Sequence, residues 1–392
     1  MRHLKVDEDE RRLPFVYWTA KQHKVPTGER FIVSGKKCST KSLSKRLLKI
    51  FKLVQKTLKS YCRYKCNFLK TSSFWVIDNS KPIHSNINYL NLRGKAKSIF
   101  TYDFTQLYTN IPHDLLVSQI QFVLDEAFKI KAESYANKPA ELYVKVNKST
   151  ATWSDKIVKN AKAHYMSKTD IMESFKYLIN NIYVKFNNTI YRQTVGIPMG
   201  TDCAPDLANI FLFSYEYKYV CCLIESGSGD VSKFRYIHRY IDDLITLNDM
   251  GYFNSIFKNI YPSALELKNT TTSPTETNYL DMNIRIDSGN KFICQLYDKR
   301  NDFNFNVVSM PNLSSNVPID ASYSVFYSQI IRIFKANNSM SQLHIDIKNM
   351  MDKLCKQNFK YSKLVHQVYK FKNNYYFDIM SKYWEGLRMN LL

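Results

Sequence analysis

The stretch Phe234-Arg235-Tyr236-Ile237-His238-Arg239-Tyr240-Ile241-Asp242-Asp243-Leu244-Ile245-Thr246-Leu247 sets two adjacent carboxylates between two β-prone runs. The pattern predicts a tight β-hairpin with the acids at its tip. Asp favours turns for its own sake, so an isolated Asp-Asp pair says little. Its company says more. Asp103 closes a strand-like run, Ser98-Ile99-Phe100-Thr101-Tyr102-Asp103, about 140 residues upstream. Between them lies Val195-Gly196-Ile197-Pro198-Met199-Gly200-Thr201-Asp202-Cys203-Ala204-Pro205, a glycine-proline loop that opens a helix. Carboxylates on a rigid turn, with a further Asp opposite, are what two-metal phosphoryl transfer needs. Mg²⁺ suits such a set because it keeps waters and substrate phosphates as its other ligands. Asp103 and Asp242 are the candidates to bridge two ions, with Mn²⁺ as an alternative metal, and Asp243 is the third ligand.

Other candidates surround these acids. Tyr108, five residues after Asp103, has two readings. Its ring can lie under an incoming sugar and exclude a 2′-hydroxyl, or it is one of 28 tyrosines packed in a core. Gly196 and Gly200 lack a Cβ and allow close approach to a nucleotide, and Met199 can pack on a nascent base pair. Arg30 and Lys24 can hold a triphosphate, or are surface charges. Lys268 is poorly placed for protonating a leaving group, and His23 and His113 are read as structural.

The bulk numbers narrow the partners. The 392 residues suffice for two or three domains, and a 45% hydrophobic content permits a sizeable core. A net charge of +22 favours a polyanion, nucleic acid before an anionic membrane surface. Residues 36–70 hold twelve Lys/Arg and no Asp or Glu. A solvated face normally mixes signs, so a phosphate backbone is the expected use of this segment. The eight Cys form no paired C-x-x-C spacing, which points to reduced thiols in a cytosolic or nuclear setting. The charged start reads as no signal peptide, and no apolar run of about 20 residues predicts a transmembrane helix. A membrane partner is therefore not expected.

Periodicity predicts a coarse order of elements. Residues 14–34 read as strand, turn and strand. Leu43, Leu47, Ile50, Phe51, Val54 and Leu58 fall at helical spacing. Residues 112–190 are expected to be mostly helical, with a polar loop over 147–155. A hairpin turns at Asn187-Asn188, a helix covers 205–220, and another covers 248–261. A second hairpin turns around 287–290. Residues 300–320 read as a connector, followed by basic helices with eleven Lys/Arg against four Asp/Glu from Ala321 on.

Three stretches together resemble reverse transcriptases, most closely those of Penelope-like retroelements, which are related to telomerase. They are Thr101-Tyr102-Asp103-Phe104-Thr105-Gln106-Leu107-Tyr108, Gly196 to Gly200 with Pro205, Ala208 and Asn209, and Arg239-Tyr240-Ile241-Asp242-Asp243. Residues 17–24 with 30–34, Tyr279-Leu280-Asp281, 297–304 and 325–331 extend the likeness over about 13–390. The resemblance implies an α+β right-hand polymerase fold. Fingers would cover 1–100, the palm 101–290 with a helical insertion around 112–190, and a connector and thumb 291–392. It implies RNA-directed DNA synthesis with two Mg²⁺, an RNA template, a DNA primer or RNA–DNA duplex, and dNTPs. It also implies that Asp103, Asp242 and Asp243 are catalytic, that Tyr108 selects the sugar and that Arg30 contacts triphosphate. Such elements usually carry more sequence before the fingers, and many carry a GIY-YIG nuclease after the thumb. Neither lies within these 392 residues, so a shortened frame or reliance on another nick is expected. A nucleic-acid-binding remnant that no longer synthesises is the alternative. An RNA-templated RNA polymerase shares the palm, and Tyr108 speaks against it. Oligomeric state is left open.

Overall fold

The computed structural model describes residues 12–21, 28–158, 163–197, 200–227, 230–303, 305, 307 and 310–388. In chain order come β1 (Phe15–Lys21), β2 (Gly28–Ser34), α1 (Lys41–Leu69), α2 (Lys81–Asn91), β3 (Ile99–Thr105), α3 (Leu107–Asn110) and α4 (His113–Glu133). Three short strands follow: β4 (Tyr143–Val146), β5 (Ala151–Ser154) and β6 (His164–Met166). Next are α5 (Lys168–Asn180), β7 (Tyr183–Phe186), β8 (Thr189–Arg192) and α6 (Ala204–Ser226). The hairpin β9 (Ile237–Tyr240) and β10 (Asp243–Leu247) precedes α7 (Tyr252–Ile260), β11 (Glu266–Asn269), β12 (Glu276–Tyr279), β13 (Met282–Ile286) and β14 (Phe292–Leu296). Helices α8 (Ile319–Ala336), α9 (Met340–Cys355), α10 (Tyr361–Asn374) and α11 (Tyr376–Arg388) complete the order. With 49% helix and 21% strand in largely antiparallel sheets, the fold is α+β, as expected. Among the described residues no helix is long and apolar enough to cross a membrane.

The chain divides into two compact units. The first takes Met1–Val76, Asp103–Leu244 and Tyr252–Lys268; the second takes Ile77–Tyr102, Ile245–Gly251 and Asn269–Leu392. Within the first, α1 buries Leu43, Leu47, Ile50, Phe51, Val54 and Leu58, the row that the spacing predicts. Each such side chain contributes about 1.5–3 kcal/mol relative to exposure in water. Helix α6 is the centre of this unit. Leu207, Ala208, Ile210, Phe211, Leu212 and Phe213 are all buried, so the helix is covered on every side. It opens on Pro205 and stops at Gly227, whose φ is +63°. Helix α5 starts at Lys168 because Ser167 and Asp170 form a reciprocal capping box.

Three expectations are corrected. Residues 112–190 are not mostly helical: helix covers His113–Glu133 and Lys168–Asn180, and strands take part of the rest. The stretch 147–155 is not a loop throughout: Ala151–Ser154 is strand β5, paired with β4 so that Trp153 faces Val144. Trp153 earns that position by contacts distant in sequence. Its Nε1 donates to Thr57 Oγ1 at 2.9 Å, and its ring meets Phe128 edge-on at 4.8 Å. The helix expected over 248–261 begins only at Tyr252. Asn248, Met250 and Gly251 have φ of +62°, +56° and +80°, which no helix accepts. The turns at Asn187-Asn188 and at 287–290 stand where expected, with Asn187 and Asn290 in the left-handed region.

In the second unit, the sheet runs β12-β13-β14, and Tyr323, Phe326, Ile330, Leu343, Leu354 and Leu364 form the core of the α8–α10 helices. Buried His84 on α2 has no hydrogen-bond partner on either ring nitrogen among the described residues. Burial first, and the charge of Lys382 second, lower its pKa from 6.5 to about 3. Between those values the unfolded chain binds the extra proton and the folded chain does not. Stability is therefore lost as pH falls below 6.5, by roughly 3 kcal/mol at pH 4. Hydrogen exchange of α2 peptides from pH 7 to 4 should show this slope, and His84→Leu should remove most of it. Parallel slopes in the two proteins would exclude His84 as the cause.

Candidate active site

The acids lie in the first unit. The sheet that carries them has the order β11-β3-β10-β9, so the strand of Asp103 adjoins the strand that leaves the acid turn. The Phe104 N–H donates to the Asp242 carbonyl at 3.2 Å, which registers Asp103 beside that turn. Asp103, Asp242 and Asp243 are each half-buried. The turn itself is Ile241-Asp242, so Asp242 stands at the tip as expected while Asp243 already opens strand β10. Ile241 has φ +55°, an uncommon conformation for a β-branched residue.

Beneath the turn sits a charge that the sequence reading left without a role. Arg239 and Glu216 are both fully buried. Arg239 Nε donates to Glu216 Oε1 at 2.5 Å, and Nη2 to Oε2 at 3.1 Å. Arg239 Nη1 donates to Asn209 Oδ1 and to the Ile241 carbonyl, both at 2.9 Å. Tyr261 Oη donates to Glu216 Oε1 at 2.9 Å. Burial, and then the Glu216 charge, hold the Tyr261 phenol well above its usual pKa, so it stays a donor. The backbone N–H of Arg239 donates to the Trp75 carbonyl at 2.8 Å. The available signal was Glu216 itself, a single acid inside the apolar run of α6, which needs a cation when buried.

Tyr108 stands on α3, directly after β3. Burial pushes its phenol up to about 12, with Asp242, Asp206 and Tyr240 adding to the shift. The ring is thus within electrostatic reach of the acid turn, and its hydroxyl is neutral at physiological pH. The glycine loop docks on the same segment. Ile197 N–H donates to the Tyr108 carbonyl at 2.6 Å, and Gly196 N–H to the Ile111 carbonyl at 2.8 Å. His113 Nε2 donates to the Gly196 carbonyl at 2.7 Å, a structural role as expected. A Cβ on Gly196 would lie 2.5 Å from the Tyr108 carbonyl oxygen, and one on Gly200 1.8 Å from that of Val33. The close approach that both glycines serve is to this chain's own backbone.

Arg30 is exposed on the β1–β2 hairpin, opposite Thr19. The registers Phe15↔Ser34 and Phe15↔Lys185 place Phe15, Tyr17, Arg30 and Lys185 on one face of the sheet β2-β1-β7-β8. All four side chains are exposed. Lys24 and Met199 lie outside the described residues. Lys268 pairs with Glu266 at 3.3 Å. On α1, exposed Lys45, Lys52, Lys56 and Arg63 repeat at spacings that keep them on one side of the helix.

Among the described residues no three His, Cys, Asp or Glu side chains form a group that could hold a metal ion. Mg²⁺ asks for less, namely one or two carboxylates beside waters and substrate phosphates. Asp103, Asp242 and Asp243 offer oxygen ligands only, the kind Mg²⁺ takes, and Asp103 and Asp243 stand on adjoining strands.

No family model matches the chain, and no curated protein matches it by sequence. Solved structures do. Telomerase from Candida albicans, in complex with a TWJ fragment of telomeric RNA, aligns at TM-score 0.59 and 11% identity over 95% of this chain and 61% of that one. Apo telomerase from Candida tropicalis aligns at TM-score 0.49 and 10% identity, covering 94% and 59%. The Sicinivirus 3Dpol RNA-dependent RNA polymerase aligns at 0.36 and 12%, covering 74% and 53%. The chain spans about three fifths of the telomerase chains' length. At these identities the likeness is one of fold alone, and the first alignment carries it: the α+β right-hand fold of this chain resembles that of telomerase.

Proposed function

We propose that the chain is an RNA-directed DNA polymerase that extends a primer 3′-hydroxyl with dNTPs on an RNA template. One observation carries this reading: Asp103 and the Asp242-Asp243 turn adjoin in one sheet, within a polymerase fold. Asp103, Asp242 and Asp243 would hold two Mg²⁺ ions, or Mn²⁺ in their place. When bound, such ions neutralise charge on the transferring phosphoryl group and activate the attacking oxygen.

The chain's own residues supply the positioning. The Phe104–Asp242 backbone bond keeps the acids of two strands in register. Tyr108 feels the charge of Asp242, and its ring would lie under a sugar next to the reacting phosphate. Arg30, with Lys24, would hold the triphosphate through fork and point-charge contacts. Gly196 and Gly200 shape the loop, and Met199 would pack on the nascent base pair. The exposed face of Phe15, Tyr17, Arg30 and Lys185 joins π surfaces to cations, the combination that holds unpaired nucleotides. The acid and glycine motifs, with the segment 297–304, support a reading nearest Penelope-like retroelements, and the cysteines, which show no paired C-x-x-C spacing, support a nuclear or cytoplasmic setting.

A second reading has its own observation. The stripe Lys45, Lys52, Lys56 and Arg63 can bind a phosphate backbone whether or not the acids work. Primer extension on an RNA template with dNTPs and Mg²⁺ separates the two. Extension supports the polymerase; tight, salt-sensitive binding without extension supports a binding remnant. Tyr108→Ala tests sugar selection in the same assay. The expected outcome is a shift of roughly 100-fold in kcat/KM toward ribonucleotides. An unchanged ratio would return Tyr108 to a packing role.

A further inference from the structure

We propose that Arg239 is a positioning residue that, paired with Glu216, sets the acid turn against helix α6. The inference rests on the polymerase reading for its kinetic consequence, but not for its structural one.

The guanidinium is used completely. It has five N–H donors, and five acceptor contacts are present: Glu216 Oε1 and Oε2, Asn209 Oδ1, the Asn209 carbonyl and the Ile241 carbonyl. A lysine has three donors on one atom and cannot span this set. Asn209 and Glu216 stand two turns apart on α6, hence on the same face, and both point at Arg239. The remaining contact crosses to the turn. Ile241 is held with φ +55°, and its carbonyl accepts from Arg239 Nη1. The next residue is Asp242.

Stability alone is a weak reason for this arrangement. A buried ion pair gains little over a well-packed apolar pair, because both charges must leave water. Its geometry does what apolar packing does not: it fixes direction. Helix α6 begins directly after the loop that bonds the Tyr108 carbonyl through Ile197. The backbone of Arg239 is anchored separately, to the Trp75 carbonyl. One side chain therefore ties the acid turn to the helix behind the glycine loop.

The test uses the full chain with a primer-template. Arg239→Met alone would strand Glu216 in the interior, so the informative variants are Arg239→Lys and the neutral double variant Glu216→Gln/Arg239→Met. Thermal melting and primer-template binding are measured as controls. Hydrogen exchange is followed by peptides covering 237–247 and, for comparison, α1. In the folded variants, exchange across the acid turn should rise about tenfold or more while α1 is unchanged. Steady-state kcat should fall about 30-fold in the double variant, and less in Arg239→Lys, at unchanged KM for dNTP. Wild-type exchange across the turn in both variants would overturn the inference. So would wild-type kcat in either folded variant. If the wild-type chain itself extends nothing, the polymerase reading fails, and turn exchange still decides the role of Arg239.

Discussion

Asp242→Asn is expected to lower primer extension about 1,000-fold or more, with primer-template affinity changed less than about threefold. The substitution keeps the shape of the side chain and removes one negative charge. The backbone contacts that build the turn do not involve that carboxylate. Phe104 bonds the Asp242 carbonyl, and Arg239 bonds the carbonyl of Ile241. The turn should therefore persist while the site loses the charge that a Mg²⁺ ligand must supply. Nucleic-acid binding is expected to draw on other groups, namely the exposed stripe of Lys45, Lys52, Lys56 and Arg63 on α1. Wild type and variant should thus show the same steep fall in affinity with salt. Extension, binding isotherms at several salt concentrations and melting curves check each part. Retained synthesis would remove Asp242 from the chemistry. Joint loss of binding and melting cooperativity would make it a folding residue.

Much of the fold was open to a reading of periodicity, for identifiable reasons. The α1 row from Leu43 to Leu58 is buried on one side only, so its spacing survives in the sequence. The acid hairpin and the turns at Asn187 and Asn290 announce themselves through residues that tolerate tight turns. Strand β5 was hidden because its partner interactions, Trp153 with Thr57 and Phe128, come from α1 and α4. The delayed start of α7 follows from left-handed Asn248, whose Oδ1 accepts from Lys97 N–H at 2.8 Å, a contact 151 positions away in the chain. The candidate acids were legible as residue types in order, but not the support beneath them. Arg239 sat in plain view beside the turn. Its meaning depends on Glu216, 23 positions earlier, on the far side of an intervening segment. Likewise, the glycines announced a close approach without saying to what.

Gly196→Ala follows from that last point and should be nearly as damaging as loss of an acid, by a different route. The φ of Gly196 is +84°, and a Cβ there would meet the Tyr108 oxygen at 2.5 Å and the Thr109 Cα at 2.8 Å. Both are backbone atoms, so neither can swing aside. An L-residue at this φ costs about 1–2 kcal/mol, and forced overpacking typically adds about 1–3 kcal/mol. The loop or the Tyr108 segment must move. If the loop moves, it breaks the Ile197–Tyr108 and Gly196–Ile111 bonds. If the segment moves, it carries the Tyr108 ring away from Asp242 and strains the strand end that bears Asp103. Displacement of about 1 Å at a reacting centre costs on the order of 100-fold in rate, so extension should fall by at least that factor. Gly227→Ala is the matched control. Its φ is also positive, at +63°, but a Cβ there meets nothing within 4 Å. It should show the backbone cost in melting temperature and leave extension intact. Equal losses in the two variants would mean that left-handed strain, and not the fit of the loop against Tyr108, is what the site depends on. Normal extension by Gly196→Ala would mean that the loop and the acid turn are not mechanically joined.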